Sequence, residues 1–172
     1  MWNTILDELN GTFNVVPPEV AFVRLFVALV LGGAIGFERE RKAKPAGLRT
    51  HMLVSMAACT FIIVSQQLAA LDFGMGGDNM RVDPLRLIEA VTAGVAFLAA
   101  GIIFTSGGEV KNITTGASMW LAGAIGLACG SGQVPLAAMA TVIVLLVLFV
   151  LSHIEVWMGT HRPQNTAPEA DD

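Results

Sequence analysis

Charge is scarce in this sequence. Asp, Glu, Lys and Arg make up 14% of its 172 residues, where an ordinary soluble domain approaches a quarter. Together with 54% hydrophobic residues, this excludes a solvated globular domain and predicts a polytopic membrane protein. Cysteine is scarce too. Cys59 and Cys129 fall inside apolar stretches without CxxC spacing, so they read as small buried hydrophobes, neither a disulfide nor a metal pair. No phosphate-binding loop, GxSxG or paired-histidine zinc motif occurs, which leaves nothing to support hydrolysis. No enzymatic activity, catalytic residue, metal or cofactor is expected. No basic face accompanies a nucleic-acid motif, which argues against a nucleic-acid partner. The first sixteen residues hold neither Lys nor Arg; lacking the basic start of a cleavable signal peptide, they are expected to be retained.

What is present is a set of five apolar stretches, near residues 18–37, 48–71, 85–104, 113–129 and 134–151. Each approaches or exceeds the roughly 20 residues that cross a hydrocarbon core. The expected fold is all-α, a transmembrane bundle of five spans in one domain over residues 17–152. Before it, Trp2, Ile5, Leu6, Leu9 and Phe13 recur at helical spacing, which suggests a short interfacial amphipathic helix or else a frayed terminus. Pro17-Pro18-Glu19 then opens the first span, with Pro favoured in a first turn and Glu at a helix N-terminus. Residues 153–172 read as a cytoplasmic tail that is largely disordered, polar and acidic. The connectors carry turn chemistry at Pro45-Ala46-Gly47, Ser106-Gly107-Gly108 and Gly130-Ser131-Gly132, and the longest, residues 72–84, is Gly-rich and acidic.

Five of the ten Lys and Arg residues, Arg39, Arg41, Lys42, Lys44 and Arg49, sit in the first connector. Lys111 follows in the third and Arg162 in the tail, while Arg81 and Arg86 on the other side face Asp72, Asp78 and Asp83. The positive-inside rule then puts the first and third connectors and the C-terminus in the cytoplasm and the N-terminus outside.

Helices in lipid associate through close backbone approach, so small residues mark contact faces. Gly32 and Gly36 form a GxxxG pair in the first span; Gly94 and Gly101 lie in an Ala-rich third span; Ser118, Ala122 and Gly126 form a ladder in the fourth. The first, third and fourth spans are therefore expected to form the tight centre. The fifth, with its bulky run Val142 to Leu151, is expected to face lipid or another copy. Small-residue faces leave homodimerisation open.

Ionisable groups in a span must find a partner, water or headgroups. Arg24 is two turns into the first span and either snorkels outward or has a functional role. Arg86 and Glu89 are three apart on one face, spaced for an intrahelical pair. Glu38 lies fourteen residues after Arg24 and within about 40° of the same face at 3.6 residues per turn. This permits a polar track through the bundle. Two carboxylates without a cavity do not make a cation site, and ion pairs that fix packing are the plainer reading. His51, beside the basic loop, and His153 with Glu155, after the last span, are too scattered for a metal site.

The stretch Arg24-Leu25, Gly32, Gly36-Phe37-Glu38-Arg39-Glu40-Arg41 and Lys44-Pro45-Ala46-Gly47-Leu48-Arg49-Thr50-His51 resembles the MgtC/SapB family of bacterial inner-membrane proteins. A second block is similar: Asp83 to Arg86, Gly94 to Ile103, and Lys111 to Trp120 with Ala124-Ile125-Gly126. Three positions depart from the family pattern: Ala99 and Asn112 stand where glycine is usual, and Glu89 where an amide or apolar residue is expected. The resemblance implies a multi-pass protein of the bacterial inner membrane. It further implies a non-enzymatic regulator in adaptation to low magnesium or acid stress, with a membrane-protein partner such as the F-type ATP synthase. Transport of Mg²⁺, protons or a small solute is the alternative. The C-terminal ACT-like domain of several members is not expected here. Glu38, Arg39, Arg49 and Thr50 belong to the signature. With Arg24, Arg86, Glu89 and, from the second block, Thr115 and Trp120, they make up the candidate polar site. Arg41, Lys42 and Lys44 are expected only to set orientation.

Overall fold

A computed structural model describes residues 1, 2, 13, 15–70 and 83–157. The amphipathic N-terminal segment, most of the acidic second connector, the polar tail and the side chains of His153 and Glu155 lie outside the described residues. Five helices form the structure: α1 (Pro18–Arg41), α2 (Leu48–Ala69), α3 (Pro84–Ile102), α4 (Ile113–Gly130) and α5 (Val134–Trp157). All five are long and apolar enough to cross a membrane. The fold is an all-α bundle, and its five helices coincide with the five apolar stretches apart from their ends. α1 continues four residues into the basic loop, and α5 runs to Trp157 instead of stopping at residue 151.

The helix ends have local causes. Pro17 and Pro18 open α1, with Glu19 in its first turn. At α2, the Oε2 of Glu40 accepts from the backbone N–H of Leu48 at 2.7 Å, so the preceding helix supplies the cap. Asp83 caps α3 through the N–H of Leu85 at 3.0 Å, with Pro84 in the first turn. One element was not anticipated. β1 (Phe104–Ser106) and β2 (Glu109–Lys111) pair as an antiparallel hairpin between α3 and α4. Its turn, Gly107-Gly108, takes positive φ at both residues (62° and 80°), which fits the twist of a two-residue hairpin. Asn112 then adopts φ 66° and its Nδ2 donates to the Ile102 carbonyl at 3.0 Å, joining the end of α3 to the start of α4. Asparagine tolerates that left-handed conformation.

The helices at the centre are α1, α2 and α4, which corrects the expected grouping of the first, third and fourth. α4 touches all the other helices, whereas α3 rests on α4 and only lightly on α2. The physical reason is how the small residues are distributed. In α2, Ser55, Ala58 and Cys59 share one buried face. A methyl at Gly32 would fall 2.6 Å from the Ser55 Cβ, and one at Gly126 would overlap the Ser55 carbonyl oxygen. Both glycines therefore serve as the close-approach points the sequence suggested. In α3 the small residues go round the helix, so Gly94 and Gly101 have nothing within 4 Å of an added Cβ. What docks α3 is bulk: Val95 sits over Gly123 of α4 and Ile103, just past the helix end, over Gly116. The gap between α2 and α3 is an apolar cleft of about 420 Å³, lined by Val54, Phe61, Val91, Gly94 and Leu98 among others. α5 carries its bulky residues outward, with Val142, Ile143, Leu146 and Phe149 exposed.

Candidate functional site

Three helices converge just inside the basic loop. Gly36 of α1 lies so close to α2 that an added Cβ would fall 2.8 Å from both the Gly47 oxygen and the Leu48 Cα. At this crossing His51 is wholly buried. Its Nδ1 donates to the Gly47 carbonyl at 2.8 Å, and its Nε2 lies 3.0 Å from the Ser118 Oγ of α4. Ser118 in turn reaches the Thr115 carbonyl at 2.9 Å. Because Ser118 meets His51 and Gly126 meets Ser55, α2 and α4 run parallel, with α1 antiparallel between them. Alternate spans of a serial bundle must do this.

One turn nearer the loop lie Arg39 on α1 and Thr115 on α4. Arg39 is 3% exposed and Thr115 fully buried. The Nε of Arg39 donates to Glu38 Oε2 at 2.5 Å, and Lys42 Nζ lies 2.6 Å from Glu38 Oε1. Lys42 also donates to the Leu148 carbonyl of α5 at 3.2 Å. It therefore fastens the end of α1 to α5 and does more than set orientation. Arg41 points the other way and stacks over the ring of Phe37, 5.9 Å from its centroid.

The candidate residues thus separate into groups. Glu38, Arg39, Thr115 and Ser118 gather at the junction, with Thr50 half-buried and Arg49 exposed at its edge. Arg24 lies at the other end of α1, where its Nη1 donates to the Gly130 carbonyl at 2.8 Å and to Gln66 Oε1 at 3.3 Å. There it caps the C-terminus of α4, where a cation also meets the negative end of the helix dipole. The expected polar track between Arg24 and Glu38 is interrupted, because Ala28, Ile35, Cys59, Ile125 and Cys129 pack into one buried apolar cluster between the two ends. Arg86 and Glu89 are exposed on α3 and make no ion pair with each other, although their spacing allowed one. They are not part of the junction. Trp120 is 54% exposed and faces outward. Ala122 is buried between α4 and its neighbours as its ladder position suggested.

Two participants escaped the sequence argument. His51 read as an isolated histidine beside charges; the usable signal was its spacing of four from Gly47, which puts its ring over that carbonyl. Glu40 read as one more loop charge, and only the return of the chain at Leu48 makes it a cap. Among the described residues no group of three His, Cys, Asp or Glu side chains could hold a metal ion. What the junction can do chemically is bind or orient a charged group, through a guanidinium, an ammonium and a hydroxyl held at fixed positions.

The MgtC family model matches residues 25–157. An uncharacterized protein of Haemophilus influenzae is 36% identical over 157 residues, covering 90% of this chain and 63% of its own. Protein MgtC of Brucella abortus is 40% identical over 120 residues, 70% of this chain and 46% of its own. YhiD of Escherichia coli K12, named as a candidate magnesium transporter, is 40% identical over 126 residues, 73% of this chain and 58% of its own. The chain thus spans about half to just under two thirds of the length of these curated relatives. No solved structure matches it. The matched region takes in all of the junction and most of each helix, so this multi-pass membrane protein belongs to the MgtC family.

Proposed function

We propose that this chain is a non-enzymatic accessory factor of the bacterial inner membrane, active in adaptation to low magnesium or acid stress through contact with a membrane-protein partner. Its basic loop and C-terminus then face the cytoplasm, as the positive-inside rule requires. The magnesium connection rests on family membership and on the names of the Brucella and Escherichia relatives. The observation that carries the choice of regulator over transporter is the apolar cluster around Ile35 and Ile125, which separates Arg24 from the junction. A carrier needs a polar site reachable from alternate sides, near the midplane. Here Arg24 and the junction sit at opposite helix ends, and a packed apolar cluster lies between them. The exposed face of α3, where Phe97 is 80% exposed, and that of α5 are the surfaces we assign to a partner.

Two measurements test this together. Purified protein in liposomes loaded with Mg²⁺-sensitive and pH-sensitive dyes should pass no more of either ion than protein-free vesicles. Photo-crosslinkers at Phe97 and Leu146, in cells starved of magnesium, should capture one partner in stoichiometric amount. Flux abolished by Glu38→Gln would make the chain a transporter. Capture of nothing beyond the chain itself would remove the partner.

A further inference from the structure

Two helices leave a broad face uncovered, and the faces differ in kind. α5 turns Val142, Ile143, Leu146 and Phe149 outward, a bulky apolar surface that lipid accepts. α3 docks on α4 through Val95 and Ile103. On the side of α3 turned away from that contact, Arg86, Glu89, Ala93, Ala96 and Ala100 are all exposed. Their spacing runs three, four, three, four, the heptad repeat that keeps one seam of a helix against a neighbouring helix. Alanines along such a seam let two backbones come close.

Depth makes this seam costly to leave in lipid. The 19 residues of α3 span about 28 Å, close to the roughly 30 Å of a hydrocarbon core, so the helix has no length to spare. Arg86 lies near its start and reaches the headgroups unaided. Glu89 follows by three, about 7–8 Å into the core, on a side chain too short to snorkel. An ionisable group at that depth needs a partner or water. Among the described residues neither Glu89 nor Arg86 has an ion pair.

The charges say what covers the seam. It carries one cation and one anion a turn apart and is otherwise apolar, so it is complementary to itself. A two-fold axis along the membrane normal would set each Arg86 against Glu89 of the partner subunit across a rise of about 4.5 Å, within reach of a guanidinium. Copies inserted in one orientation present α3 in parallel, as that axis requires. We infer that this face of α3 pairs with the same face of a second copy, Arg86 of each chain answering Glu89 of the partner subunit while Ala93, Ala96 and Ala100 form the close contact. The crossed ion pairs fix the register, as polar seam positions do in coiled coils. Phe97 lies at the edge of the face, toward the cleft between α2 and α3, so the pairing leaves it and α5 open to a different protein. This inference stands apart from the proposed function, because the purified chain alone forms the pair.

The test uses the full chain reconstituted in liposomes at low density. Ala96→Cys should form a disulfide between copies under mild oxidation, and Val142→Cys on α5 should not; Cys59 and Cys129, both 0% exposed, stay silent. Energy transfer between dyes on Lys44→Cys then measures the pairing. Arg86→Glu and Glu89→Arg each oppose like charges and should weaken it by at least about tenfold. Mixing the two variants, one doubly acidic on the seam and one doubly basic, should restore transfer to the level of wild type. Chains that stay monomeric, single variants that pair like wild type, or mixed variants that stay apart would overturn the inference. The last two are also what an ion pair within each α3 would produce. Where a charge variant fails to fold, Ala96→Cys decides: cross-linking no better than Val142→Cys overturns the pairing. So does Ala96→Cys linking, in native membranes, to a different protein and never to itself.

Discussion

Gly126→Ala places the central packing under the most direct strain. The added methyl at Gly126 would overlap the Ser55 carbonyl oxygen and lie 2.7 and 2.9 Å from the carbonyl carbon and Cα of the same residue. All three atoms are backbone, so no side-chain rotation relieves the clash, and α2 and α4 must separate along their contact. Ser55 is also the residue whose hydroxyl holds the Ala28 carbonyl of α1 at 2.8 Å, so a shift of α2 disturbs both central interfaces. Overpacking in a well-packed core costs about 1–3 kcal/mol, and a clash with rigid backbone belongs at the upper end, about 3 kcal/mol. Gly94→Ala is the matched control. Nothing lies within 4 Å of its added methyl, and alanine is the better helix former by about 1 kcal/mol in peptides. Its stability should equal or slightly exceed that of wild type. Reversible unfolding in mixed micelles, followed by helical circular dichroism, measures both. Gly126→Ala as stable as wild type, or Gly94→Ala as damaged as Gly126→Ala, would refute the placement of α1, α2 and α4 at the centre.

Three further outcomes follow from the same geometry. His51→Leu should lose about 1 kcal/mol of stability in that unfolding assay, because two buried hydrogen bonds of the ring are lost while Ser118 keeps the Thr115 carbonyl and the Gly47 carbonyl keeps the backbone N–H of residue 51; a neutral result would mean that the ring is not held there. Arg24→Met should cost about 1–2 kcal/mol in the same assay by leaving the Gly130 carbonyl uncapped. Single cysteines at Lys44 and Ser131 should react with an impermeant maleimide from opposite sides of the membrane. The native Cys59 and Cys129, both 0% exposed, should react only after unfolding; labelling of both introduced cysteines from one side would contradict the serial bundle.

Number, order and approximate extent of the helices were legible because lipid demands length and apolarity, which local composition records directly. Contacts between helices were less so. Gly32, Gly36 and Gly126 leave no room for a methyl, yet Gly94 and Gly101 satisfy the same rule and face open space. A small residue permits close approach without requiring it; the partner face decides. α2 was overlooked because its contact face, Ser55, Ala58 and Cys59, interrupts a sequence otherwise rich in Met, Leu and Ile. At the polar site, Glu38 and Arg39 could be found from charge alone. The partnership of His51 with Ser118 spans 67 residues, and no local pattern records a contact between parallel helices that distant in sequence.

The charged loop that fixes orientation also holds the buried site, and helical phase separates the two roles. Arg39 follows Gly36 by three and Gly32 by seven, so it inherits their inward face. Arg41, two residues on, is turned by about 200° and lies outside, over Phe37. Both count equally for positive-inside topology, which depends on charge near a helix end and not on side-chain direction. They differ in what can replace them. At Arg41 a lysine preserves the orienting charge and much of the stacking. At Arg39 a lysine keeps the charge but loses the planar guanidinium whose Nε answers Glu38. A basic residue at an inward phase, buried and paired with a neighbouring carboxylate, is therefore constrained by geometry that topology alone would never impose.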